Sequence, residues 1–153
     1  MSTKSVVVKK GDNTDDVLQS RDQKRAKHAL DNVQKLVNDN QDGQKFKSAV
    51  SGLPAMIHSN GLGHAFAFYL SDPSKFPERE KITEIVFDWL KESGVYGDDV
   101  KNDKDERFNA LNIVTQSDLK THLIAQQEAQ AYILWLKKFV RALFAEPTQK
   151  QGE

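Results

Sequence analysis

Apolar residues in this chain recur at intervals of three and four, in blocks set apart by Gly, Pro, Asn and Asp, which is the periodicity of helices with one buried face. Leu18, Ala26, Ala29, Leu30, Val33, Leu36 and Val37 make the first stripe and predict a helix from Thr14 or Asp15 to about Val37, ended by the polar cluster 38–43. A second helix from about Gln44 carries Phe46, Ala49 and Val50 inward. It is expected to break at Gly52-Leu53-Pro54, because proline disfavours helical geometry at the residue before it. Pro54 then opens a short helix to Ser59, and Asn60-Gly61 stops it with the two residues that most readily turn left-handed. The next helix, Leu62 to Leu70, buries Leu62, Phe66 and either Ala65 or Tyr69.

Beyond the Ser71-Asp72-Pro73-Ser74 turn, Phe76-Pro77 opens a helix with Glu78 and Glu80 in its first turn, where carboxylates favour the exposed amides. Ile82, Ile85, Val86, Trp89 and Leu90 form its apolar face, and Glu80, Glu84, Asp88 and Glu92 form an acidic stripe that must meet solvent or a basic surface. After Gly94 a polar loop carries only Val95 and Tyr96 as apolar islands. Two more helices follow. Asp105 to Thr115 packs Phe108, Leu111 and Val114; Ser117 to about Ala145 packs Leu119, Leu123, Ala129, Tyr132, Ile133, Leu136, Phe139, Val140 and Leu143. No alternating strand pattern and no internal repeat competes. The expectation is all-α: a single compact bundle of about six to seven helices over residues 14–146, with a flexible leader at 1–13 and a flexible tail at 147–153.

A chain of 153 residues suits one such domain, whose folding removes about 70% of the unfolded surface from water. The absence of cysteine excludes disulfides, thiolate metal sites and a cysteine nucleophile, and suits a reducing compartment, so a cytoplasmic protein is expected. No apolar run reaches the ~18 residues of a membrane span. Its 22 basic and 22 acidic residues cancel, so the chain as a whole has no pull on a polyanion. The distribution is uneven: residues 1–37 hold a basic surplus and residues 72–109 an acidic one.

Candidate chemistry is sparse. His58 and His64 flank the Asn-Gly turn, but their spacing matches no helical ligand pair, and solvated histidines are expected rather than a metal site. Gly61-Leu62-Gly63 lacks the strand and the Lys-Ser or Lys-Thr of a phosphate loop. Ser51, Ser59 and Ser71 sit in no nucleophile elbow, and the Asp15-Asp16 and Asp98-Asp99 pairs read as solubilising or capping charge. No catalytic residues and no cofactor are expected. Glu128, between the apolar turns of the last helix, must find an Arg or amide partner on another segment if it faces inward. The better functional candidates are cationic: Arg21, Lys24, Arg25 and His28 share one face of the first helix, and Lys137, Lys138 and Arg141 share one late in the last, each also readable as a solvated face.

Arg25-Ala26, Leu53-Pro54 with Ile57, Asn60-Gly61-Leu62 before Ala67-Phe68-Tyr69-Leu70, Glu128-Ala129 and Trp135-Leu136-Lys137-Lys138-Phe139 follow one another over about residues 20–145. In order and spacing this set resembles the small helical subunit of the type III-B CRISPR effector, the RNA-guided Cmr complex. The resemblance departs at Lys138, where the family often has arginine; lysine keeps the charge without the planar fork for phosphate. It implies a non-catalytic subunit, with cleavage left to the backbone subunit of the complex. Several copies would stack in a filament beside that backbone and line the groove where guide RNA pairs with target RNA, in antiviral defence. It further implies that Lys24, Arg25, Lys137, Lys138 and Arg141 face RNA. The alternatives are a helical protein–protein adaptor without RNA contact, and a small hydrolase built on His58, His64 and distant acids.

Overall fold

The computed structural model describes residues 18–97, Val100 and residues 106–144; the leader, the tail, Asp15-Asp16 and Asp98-Asp99 lie outside the described residues. Six helices follow one another, and the described residues contain no strand: α1 Arg21–Asn38, α2 Gly43–Asn60, α3 Leu62–Tyr69, α4 Pro77–Glu92, α5 Glu106–Gln116 and α6 Leu119–Leu143. None is long and apolar enough to cross a membrane.

The first helix begins later than its apolar stripe suggests. Ser20 closes a capping box with Gln23: its hydroxyl accepts the Gln23 amide at 3.1 Å, and its own amide donates to Gln23 Oε1 at 2.9 Å. That cap sets the start at Arg21 and leaves Leu18 outside the helix and 96% exposed, not on the buried face. Asp42 caps α2 by accepting the amides of Gln44 and Lys45, and Asp118 caps α6 by accepting that of Thr121. Gly43, the first residue of α2, lies under Phe144: an added Cβ would fall 2.8 Å from that ring, which itself stacks on Phe46.

Instead of the expected break, α2 runs unbroken through Pro54. Phe46, Ala49, Val50, Leu53 and Ile57 form one buried stripe across the proline, and burial of that stripe outweighs the single amide hydrogen bond that proline removes. The carbonyl of Pro54 also accepts from Gln130 Nε2 of α6 at 3.0 Å. Asn60-Gly61 ends α2 as the sequence predicts. Gly61 has φ 91°, a conformation strained for residues with a side chain, and supplies no side-chain cap to α3. Gln126 of α6 reaches across instead, its Oε1 accepting the Leu62 amide at 3.1 Å. Both Ala65 and Tyr69 are buried beside Leu62 and Phe66, and the Tyr69 hydroxyl donates to the Ala49 carbonyl at 2.6 Å.

The last helix is the spine, packing most extensively on α1 and α2 and then on α4. Its buried side is Ala125, Glu128, Ala129, Tyr132, Ile133, Leu136 and Val140. Leu119 and Leu123, expected in the core, are 73% and 55% exposed because 3.6 residues per turn places them across the helix from that side, and Leu143 is 37% exposed in the final turn. Phe139 is only half-buried, and the side chain of Phe108 lies outside the described residues. On α5, Val114 and Ala110 are buried and Leu111 packs against the core.

Restoring the missing amide tests the reading of α2. Pro54→Ala is expected to raise unfolding stability in urea by about 1–2 kcal/mol, a fraction of the full cost of an interior proline. Unchanged or lower stability would show that the proline ring is itself needed in the packing.

Candidate functional site

Glu128 sits on the buried side of α6 with its side chain 7% exposed, and α1 and α4 both converge on it. Arg25 of α1 grips it with two donors, Nε to Oε2 at 2.5 Å and Nη2 to Oε1 at 2.9 Å. The Trp89 indole of α4 donates to Oε2 at 2.8 Å, and Arg21 Nη1 reaches Oε1 at 3.4 Å. This is the inter-helix tie that an inward-facing glutamate requires. Burial alone would raise the Glu128 carboxyl, but the Arg25 and Trp89 hydrogen bonds and the two arginine charges hold it below the usual glutamate value.

Beside this tie, Trp89 stacks on Tyr132 with centroids 5.6 Å apart, and the His28 ring meets the edges of both. His28 Nδ1 is 2.5 Å from the Tyr132 hydroxyl, while Nε2 is 2.7 Å from Asp88 and 3.4 Å from Glu92. The hydrogen bond from His28 lowers the Asp88 carboxyl, and burial raises the Tyr132 phenol. His28 is therefore a hydrogen-bonding partner within reach of two members of the acidic stripe; Glu80 pairs with Arg107 at 3.6 Å and Glu84 with Lys81 at 3.7 Å. Sequence reasoning missed the meeting of His28 with Asp88 and Glu92. The signals in the sequence were an acidic stripe that must meet solvent or a basic surface and the place of His28 on the basic face of the first helix.

The cationic candidates separate into three environments. Arg25 is half-buried, shared between Glu128 and Asp22, which it reaches at 3.1 Å. Lys24 is exposed on a groove of about 410 Å³ between α1 and α4, alongside Arg21, Lys27, His28 and Glu92. Lys138 and Arg141 are exposed and Lys137 half-buried on α6. Lys138 Nζ lies 5.1 Å from the Trp135 ring centroid, and the Trp135 indole donates to Asp22 at 2.9 Å. Asp22, whose carboxyl is lowered by the Trp135 and Arg25 hydrogen bonds, thus links the start of α1 to the Lys138 end of α6. Among the described residues, Lys24, Lys137 and Arg141 make no ion pair.

The exposed side of α6 also carries Leu119, Leu123 and Leu134, which on helical geometry share a face with Lys137, Lys138 and Arg141. One helix therefore presents an apolar row leading into a cationic end. His58 and His64 are exposed, and neither belongs to a three-ligand cluster among the described residues. Residues 21–143 match the family model for a CRISPR-associated protein, Cas_Cmr5.

Because the folded-state pKa of Glu128 lies below its ordinary value of 4.5, the tie contributes fully above that pH and is lost as pH falls through the folded value. Glu128→Gln is expected to cost about 2–4 kcal/mol at pH 7, by leaving Arg25 without its countercharge, and to flatten the acid limb of stability against pH. Chemical denaturation from pH 7 to 3 measures both. A variant as stable as the parent with the same acid limb would show that the tie does not hold the bundle.

Proposed function

The chain belongs to the Cas_Cmr5 family, a small subunit of the type III-B Cmr complex, and from that premise we propose that it is a non-catalytic, stacking subunit whose α6 edge faces RNA. In this reading copies of the chain pack beside the backbone subunit, and Lys137, Lys138 and Arg141 neutralise phosphates of the paired guide and target RNA. The observation that carries it is the division of α6 into an exposed Leu119, Leu123 and Leu134 row and an adjoining cationic end. Leucines at that exposure suit contact with protein, and lysines without ion pairs suit phosphate, which is bound for position rather than sequence.

Lys24 joins the RNA-facing set from the α1–α4 groove. Arg25 takes a different part: its charge is already met by Glu128 and Asp22, so it positions α1 against α6 rather than contacting phosphate. The leucine row also favours the second reading, a helical adaptor that contacts protein alone.

Charge reversal of Lys137, Lys138 and Arg141 together separates the two. In the reconstituted complex it is expected to weaken target-RNA retention about tenfold or more, and to reduce the salt slope by roughly one per lost phosphate contact. Stability of the subunit should stay within about 0.5 kcal/mol, since these are surface changes. Undiminished retention would favour the adaptor. The isolated subunit, with net charge zero, is expected to bind RNA weakly at physiological salt, because affinity arises from stacked copies. Tight binding by the lone chain, measured by fluorescence anisotropy, would contradict this.

A further inference from the structure

Asp88 and Glu92 stand one turn apart on α4, a spacing at which like charges repel unless a cation lies between them. His28 of α1 points its Nε2 at both, and the donor atoms of all three side chains lie within 4.8 Å of one another. We propose that His28, Asp88 and Glu92 form a binding site for a divalent first-row transition ion, such as Zn²⁺, that clamps α1 to α4.

The imidazole is pre-oriented by its surroundings. Its Nδ1 faces the buried Tyr132 hydroxyl, so that the tautomer whose Nδ1–H donates to that oxygen leaves Nε2 free to ligate, and the rings of Trp89 and Tyr132 fix its plane. A hydrogen bond at the far ring nitrogen is the arrangement that orients metal-ligating histidines. The two carboxylates are the adjustable half: their side chains are 59% and 63% exposed, free to rotate by the small amount that opens a 2.7 Å contact to the ~3–3.5 Å between donors around an ion with bonds of about 2.1 Å. Glu92 and His28 also line the open α1–α4 groove, which gives an ion a path from solvent and leaves room for water ligands.

The charges support a divalent cation. Two carboxylates neutralise it, and Asp31 adds negative charge near Tyr132; Lys35 and Lys91, within electrostatic reach of Asp88, and Arg21, Lys24 and Lys27 along the groove oppose it in part. One imidazole nitrogen with two carboxylate oxygens suits zinc, cobalt or manganese better than magnesium or calcium, which favour oxygen throughout. The sequence pattern conceals this set because its histidine lies sixty residues from Asp88, whereas His58 and His64, close together in sequence, lack the acids. The proposal is independent of the RNA-facing reading of α6.

The full-length protein, stripped with chelator, is titrated with Zn²⁺ by calorimetry and with Co²⁺ by visible absorption. One saturable equivalent is expected, with Co²⁺ d–d bands and a rise in Tm on adding Zn²⁺. Asp88→Asn and Glu92→Gln, both exposed and compatible with folding, should each weaken binding tenfold or more, and His28→Gln should abolish the bands. A paired His58→Ala, His64→Ala variant should bind as the parent does. Absence of saturable binding, or unchanged affinity in the two carboxylate variants, would overturn the site.

Discussion

A single carboxylate determines how this bundle closes. Glu128 is placed by α6 among apolar neighbours, where an unpaired negative charge would be prohibitive, so the helices around it must bring donors. Arg25 and Arg21 from α1 and Trp89 from α4 do so, and the Trp89 ring stacks on Tyr132 beside the same point, with His28 edge-on to both. The geometry of α1 relative to α4 and α6 is thereby specified by directional bonds, where apolar contacts alone would permit sliding.

That tie also decides which cations remain available for function. Of the four basic residues that share a face of α1, Arg21 and Arg25 turn toward Glu128 and His28 toward Tyr132, Asp88 and Glu92, and Lys24 is the one without an ion pair among the described residues. The late α6 cluster is different. Lys137, Lys138 and Arg141 lie beyond the tie, on the side of the spine turned from the core, where leucines of the same helix are exposed too. A member of the Cas_Cmr5 family with no net charge would need such local concentration of positive charge to hold a phosphate backbone.

Much of this was legible in the residues. The helical class, the Asn60-Gly61 stop, the opening of α4 at Pro77 and the need of Glu128 for a cross-helix partner all follow from local geometry or from the cost of buried charge. What was not legible depends on contacts between distant segments. Pro54 reads as a break until α6 covers the stripe around it, and Leu18 reads as core until Ser20 is seen to cap the helix behind it. Leu119 and Leu123 look like core because the apolar positions of this long helix span a face wider than its partner helices cover. Arg25 and Lys138 share a sequence signature of exposed cations, yet one is bound to a glutamate and the other lies over an indole.

The proposed contact between α6 and RNA is tested most directly by photocrosslinking the assembled complex, loaded with guide and target RNA, and mapping adducts by mass spectrometry. Adducts on the peptide containing Lys137, Lys138 and Arg141, and none at Arg25, are expected. Adducts at Arg25 with none on that end of α6, or a subunit that crosslinks to protein alone, would contradict an RNA-facing edge on this helix.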